Sequence, residues 1–156
     1  MNKGLPVAVY GAGWNRAMEY DKLHDHVNFR RLNNEEYLYA LKSAKIGLCF
    51  VSELNGNQTA GRSFEIPACG TFLLAMRTKQ HTECYLEGKE AEFFSSNQEL
   101  VQKARYYLEH DDQRKEIALR GYQRCTASDY SWFLYMRDDW DKVCKAMEKR
   151  VKGNIG

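Results

Sequence analysis

Two apolar runs, Ile46 to Val51 and Thr71 to Ala75, flank the polar stretch Asn57 to Gly70 (NQTAGRSFEIPACG), and they constrain the fold more than any other feature. Unbroken apolar runs of this length, without polar alternation, read as strands buried on both faces, the kind found in parallel sheets covered by helices. Parallel neighbours need a crossover between them. The intervening stretch supplies one: a loop of small polar residues that leads into a short helix. Pro67 keeps that helix short or kinked, and Gly70 stands where it ends.

The rest of the chain continues the alternation. Leu5 to Tyr10 reads as a first strand stopped by Gly11-Ala-Gly13-Trp14, and Val27 to Phe29 as a short second strand after a polar segment. Asn33 precedes Glu36 by three, a capping box, and Tyr37, Leu38, Leu41 and Ala44 recur at helical spacing, so a helix is predicted over Asn34 to Ala44. Lys79 to Leu86 reads as a short helix ended by Gly88, and Ala91 to Phe94 as a final strand. Ser96 and Glu99 form a second capping-box pattern ahead of a face made by Leu100, Val101, Ala104, Tyr107 and Leu108. Asp111 to Cys125, with Ile117, Ala118, Tyr122 and Cys125 on one side, and Tyr130 to Val151, with Phe133, Trp140, Val143 and Met147, predict two closing helices. The implied architecture is an α/β three-layer sandwich with a parallel sheet of about five strands, order 2-1-3-4-5, and right-handed crossovers. Ligands in such sheets sit beyond the carboxyl ends of the strands at the switch point, where the Gly11 to Trp14 and Ser52 to Gly61 loops both open.

At 156 residues the chain is one domain, 1–156, with room for a single core. Lys and Arg number 23 against 21 for Asp and Glu, a formal charge of +2, so no chain-wide field favours nucleic acid or a membrane surface. Five cysteines (Cys49, Cys69, Cys84, Cys125 and Cys144) are odd in number and scattered, which suits reduced thiols in a cytoplasmic protein. No apolar run approaches the roughly 18 residues of a membrane span.

The central loop carries the chemistry. Backbone N–H groups and a positive helix end at a sheet edge suit a diphosphate, and Thr59, Ala60, Gly61 and Arg62 fall at that helix start, with Arg62 as the counter-charge. Glu65 lies one turn further in, among Phe64, Ile66 and Ala68. A carboxylate there needs hydrogen-bond donors, and a sugar diol supplies them; pairing with Arg62 one turn earlier is the plainer alternative.

The block Arg62 to Gly70 (RSFEIPACG), with Phe72 to Ala75, Gly88 to Ala91 and Leu100 to Gly121, resembles the carboxyl-terminal, nucleotide-sugar-binding half of GT-B glycosyltransferases, notably the spore-maturation CgeB-like group and the group 1 transferases. The resemblance runs from about Gly4 to Arg137 and is most specific over Arg62 to Gly70. It implies a Rossmann-like domain that binds an NDP-sugar without cofactor or metal and belongs to a retaining transferase. Such enzymes commonly carry two glutamates with seven residues between them, one on the donor sugar and one on the ribose hydroxyls. Glu65 matches the second, whereas Asn57 occupies the first position and brings no negative charge. The resemblance further implies that Gly11, Gly13 and Trp14 line the donor pocket beside Asn57, Thr59, Ala60, Gly61, Arg62 and Glu65, with Arg62 and Glu65 in the catalytic roles. The family's acceptor-binding half has no counterpart here. The chain is therefore expected to be an excised or solitary donor half, to meet an acceptor-binding domain or form a homo-oligomer, and to transfer little or nothing alone. The alternative is a non-catalytic nucleotide-binding or assembly module.

Other patterns carry less. Gly11 and Gly13 begin a dinucleotide fingerprint, but Arg16 replaces its third glycine, and Arg30 and Arg31 stand where an acid should follow. Arg30 to Leu32 read as an exposed loop or as the border of a base site. His24-Asp-His26 lacks a third ligand, and Asp139-Trp-Asp141 places its acids on different helix faces. His81 and His110 have no visible partner in sequence, and Cys49, Cys69 and Cys125 read as small buried hydrophobes.

Overall fold

The structure is a computed structural model in which residues 4–11, 27–28, 30–52, 56–128 and 130 are described. The elements in chain order are β1 (Val9–Tyr10), β2 (Val27–Asn28), α1 (Asn34–Ser43), β3 (Ile46–Cys49), α2 (Arg62–Ala68), β4 (Phe72–Met76), α3 (Lys79–Cys84), β5 (Glu92–Phe94), α4 (Asn97–Glu109) and α5 (Asp111–Ala127). All but the first residue of the helix expected over Tyr130 to Val151 falls outside the described residues.

Every strand pair is parallel. In the main sheet, order β3-β4-β5, Ile46 is opposite Phe72 and Cys49 opposite Ala75, while Leu74 is opposite Glu92 and Met76 opposite Phe94. β1 pairs with β2 through Val9 opposite Val27. The neighbours 2-1, 3-4 and 4-5 of the expected order are thus hydrogen-bonded. Among the described residues no β1–β3 ladder joins the two sheets, and the main sheet there holds three strands beside the β1-β2 pair, where about five in one sheet are expected.

Alternation along the strands sorts the core into two layers. One face presents Cys49, Leu73, Ala75 and Phe93 to Ile66 of α2, to Tyr85 and to Cys125 of α5. The other presents Phe72, Leu74 and Phe94 to Ala104 and Tyr107 of α4 and to Ile117 and Ala118 of α5. α5 joins both layers and so clamps the sheet. Gly47 brings α2 down onto β3: a Cβ at that position would lie 2.6 Å from Ile66 Cγ2. That close approach sets how near α2 lies to the sheet.

Local chemistry explains the helix ends. Asn33 Oδ1 accepts from the Glu36 N–H at 2.9 Å while Glu36 Oε2 accepts from the Asn33 N–H at 3.0 Å, a complete capping box. Ahead of α4 the pattern is shifted: Ser96 Oγ accepts from the Glu99 N–H, but the Glu99 carboxylate takes the N–H of Ser95 rather than that of Ser96. Gly70 adopts φ +74° just past α2, the left-handed conformation that ends a helix without a Cβ clash.

Candidate functional site

The loop after β3 and the first turn of α2 bring Gly61, Arg62 and Glu65 together. Tyr37, on α1, donates its hydroxyl to Glu65 Oε2 at 2.6 Å. Partial burial, and then the carboxylate beside it, push the Tyr37 hydroxyl well above its usual range, so it stays a donor. Oε1 of Glu65 lies over Gly61, 3.1 Å from where a Cβ would stand, and glycine leaves that oxygen room. Glu65 is exposed and has no second hydrogen-bond donor among the described residues. Arg62 is also exposed, and among the described residues it forms no ion pair with Glu65 or any other acid. The N–H groups of Gly61 and Arg62 likewise have no protein acceptor there.

Behind this surface lies a buried polar chain. Ser63 and His81 are both 0% exposed, and Ser63 Oγ is 2.7 Å from His81 Nε2. His81 Nδ1 is 2.6 Å from the Met76 carbonyl, and the ring stacks on Phe93. Ser63 Oγ also accepts from the Ala60 N–H at 3.0 Å and lies 3.4 Å from Cys49 Sγ. The Tyr85 hydroxyl donates to the Ser63 carbonyl. Burial pushes the imidazole pKa down, which keeps His81 neutral. Outside this cluster, Thr78 caps α3 and donates to the Gln58 carbonyl at 2.6 Å, while Gln58 Oε1 accepts from the Gln80 N–H. The loop is thereby fastened to the start of α3.

A profile of the glycosyl transferase-like family matches residues 1–133. The chain belongs to that family. Among solved structures it is similar to the C-terminal domain of LpcC, a glycosyl transferase group 1 family protein from Francisella tularensis, at TM-score 0.55 and 15% identity, over 72% of this chain and 60% of that one. It is also similar to the sucrose-phosphate synthase of Thermosynechococcus elongatus, at TM-score 0.58 and 20% identity, over 85% of this chain and 33% of that one. At these identities the likeness is one of fold. The chain spans about three fifths and one third of the two relatives' own lengths. A search of curated proteins finds no match.

In this glycosyl transferase-like chain the sequence-derived residues fall as follows. Gly11 ends β1 with φ +133°, a conformation suited to glycine, while Gly13 and Trp14 lie outside the described residues, as do His24, His26, Asp139 and Asp141. Asn57 is exposed and tied to the loop through its N–H to the Ser52 carbonyl. Thr59 Oγ1 reaches Gln80 Oε1 at 3.5 Å. Ala60 directs its N–H inward to Ser63, so at this position the loop offers outside only what Gly61 and Arg62 carry. Arg30 and Leu32 line an open cavity of about 520 Å³ together with Tyr10 and Tyr39. No residue of the 57–65 loop lines that cavity, and Tyr39, two residues on from Tyr37, lies on the opposite side of α1 from it.

No local sequence pattern marks Tyr37, Ser63 or His81 as a site residue. Ser63 is bracketed by Arg62 and Phe64, and His81 is 18 residues away, so only the fold joins them. Among the described residues no helix is long and apolar enough to cross a membrane.

Proposed function

We propose that this chain is the donor-binding half of a glycosyltransferase that uses an NDP-sugar. The observation that supports it most is the divided Glu65 carboxylate: one oxygen held by Tyr37, the other open above Gly61 at the sheet edge where α/β folds bind ligands. A ribose diol would donate to that open oxygen. The diphosphate would rest against Gly61 and Arg62, whose N–H groups and guanidinium offset the charge that grows on the leaving group. Asn57 would hydrogen-bond the donor sugar, and Gly11, Gly13, Trp14 and Thr59 would border the pocket, with the base directed towards Arg30 and Leu32. Chemistry would proceed with retention and without metal, once an acceptor-binding half or second subunit closes over the donor.

Calorimetric titration of the whole chain with UDP, GDP and ADP tests this reading, with NADP as the comparison. It expects one diphosphate to bind and Glu65→Ala to abolish most of that binding; silence for all of them overturns it. A second reading, a non-catalytic assembly module, is favoured by the neutral Asn57 at the family's first glutamate position and would match that silence.

A further inference from the structure

We propose that His81 is a positioning residue, which acts through Ser63 to fix the Ala60–Gly61 turn on which the donor diphosphate would rest. The role in binding depends on the donor reading above, whereas the geometry behind it does not.

The hydrogen-bond directions follow from the partners. The Met76 carbonyl can only accept, so His81 Nδ1, 2.6 Å away, carries the ring proton. A neutral imidazole then has an accepting Nε2. The Ser63 hydroxyl, 2.7 Å from Nε2, donates to it. With its hydrogen committed to His81, the Ser63 oxygen has its lone pairs turned towards the Ala60 N–H at 3.0 Å and the Cys49 thiol at 3.4 Å. Every group in this relay has its partner, and the two side chains at its centre are sealed from solvent.

Its outer end is one residue from the surface that matters. Gly61 follows Ala60 directly, caps α2 without any side-chain oxygen of its own, and passes beneath Glu65 Oε1. A hydroxyl inside the helix, rather than a residue ahead of it, therefore orients the turn. Without His81 as acceptor, the Ser63 hydroxyl would rotate to another carbonyl, and the Ala60 N–H would lose its aligned partner.

The test uses the full chain and three readouts. Nitrogen chemical shifts of wild-type His81 should report the Nδ1–H tautomer, and the Ala60 amide should be protected from hydrogen exchange. In Ser63→Ala, Ala60 exchange should accelerate by about tenfold while the core amide of Leu74 is unchanged, and affinity for whichever of UDP, GDP or ADP binds should fall by about tenfold. If Ser63→Ala does not fold, His81→Asn, whose amide can still donate to Met76 but offers Ser63 no matching acceptor, should give the same pair of losses. An Nε2–H tautomer, equal acceleration at Ala60 and Leu74, or an affinity within about twofold of wild type would each overturn the proposal. Failure of the donor reading looks different: the unmutated chain binds none of the three nucleotides, whatever the tautomer.

Discussion

Two polar regions of the molecule are built on opposite plans. At the far side of the main sheet, Lys103 Nζ stands 2.6 Å from Glu92, 3.0 Å from Glu87 and 3.1 Å from Glu99, and Arg77 makes a forked pair with Glu87. The Glu92 side chain is only 8% exposed and also accepts from the Tyr107 hydroxyl at 2.8 Å. Each of these charges has an opposite charge in contact. Around α2, by contrast, Glu65 has one donor and Arg62 has no ionic partner among the described residues. Charges that answer one another hold a fold together. Exposed charges without a protein partner, over glycine and beside N–H groups with no protein acceptor, keep hydrogen-bonding capacity that the proposed donor would use.

Mutations should separate the two regions. Lys103→Met leaves the buried Glu92 carboxylate without its cation, and the expected loss is about 3 kcal/mol of folding stability by denaturant titration. The same variant should bind nucleotide within about twofold of wild type; a large loss would mean that the two regions are not separate. Glu65→Ala should do the reverse. Affinity for the bound nucleoside diphosphate should fall roughly thirtyfold, about 2 kcal/mol, with stability changed by about 0.5 kcal/mol at most.

Two smaller effects are expected. Tyr37→Phe removes the donor that orients Glu65 Oε2 while keeping the ring, and calorimetry should show a loss of about fivefold in affinity. Acid tests the closed region alone. Hydrogen bonding from Arg77, with help from Lys103, holds the Glu87 carboxyl at about 2, below its ordinary 4.5. Because the folded value is the lower one, this contribution is fully present above about 4.5 and is lost as pH falls through about 2. Glu87 is a third exposed, so solvent screens the pair, and the effect should be the smallest here. Thermal melts between those limits should show a shallower pH dependence in Arg77→Met than in wild type.

What was legible in the sequence was what short-range chemistry decides. The Asn33–Glu36 capping box forms within one turn, and Gly70 takes its left-handed conformation from the local end of α2, so both could be read directly. Buried strands β3 and β4 announced themselves as apolar runs, although each shifted by a residue or two at its ends. The site was legible as a segment but not as a mechanism of support. Tyr37 and Glu65 are 28 residues apart, and Ser63 and His81 are 18 apart; their pairing depends on how α1 and α3 pack against α2, which no local pattern encodes. Arg114 was missed for the same reason: its guanidinium is buried against the Tyr107 carbonyl and the Asp111 carboxylate within a helix that reads as merely amphipathic.

The donor reading turns on one oxygen atom, Glu65 Oε1, and a structure of the chain with a bound nucleoside diphosphate would locate its partner. A ribose hydroxyl should stand at hydrogen-bonding distance, about 2.7–3.2 Å, from Glu65 Oε1, with the diphosphate against Gly61 and Arg62 and the Tyr37 contact intact. A bound nucleotide whose ribose lies away from Glu65, leaving that carboxylate facing solvent, would contradict it.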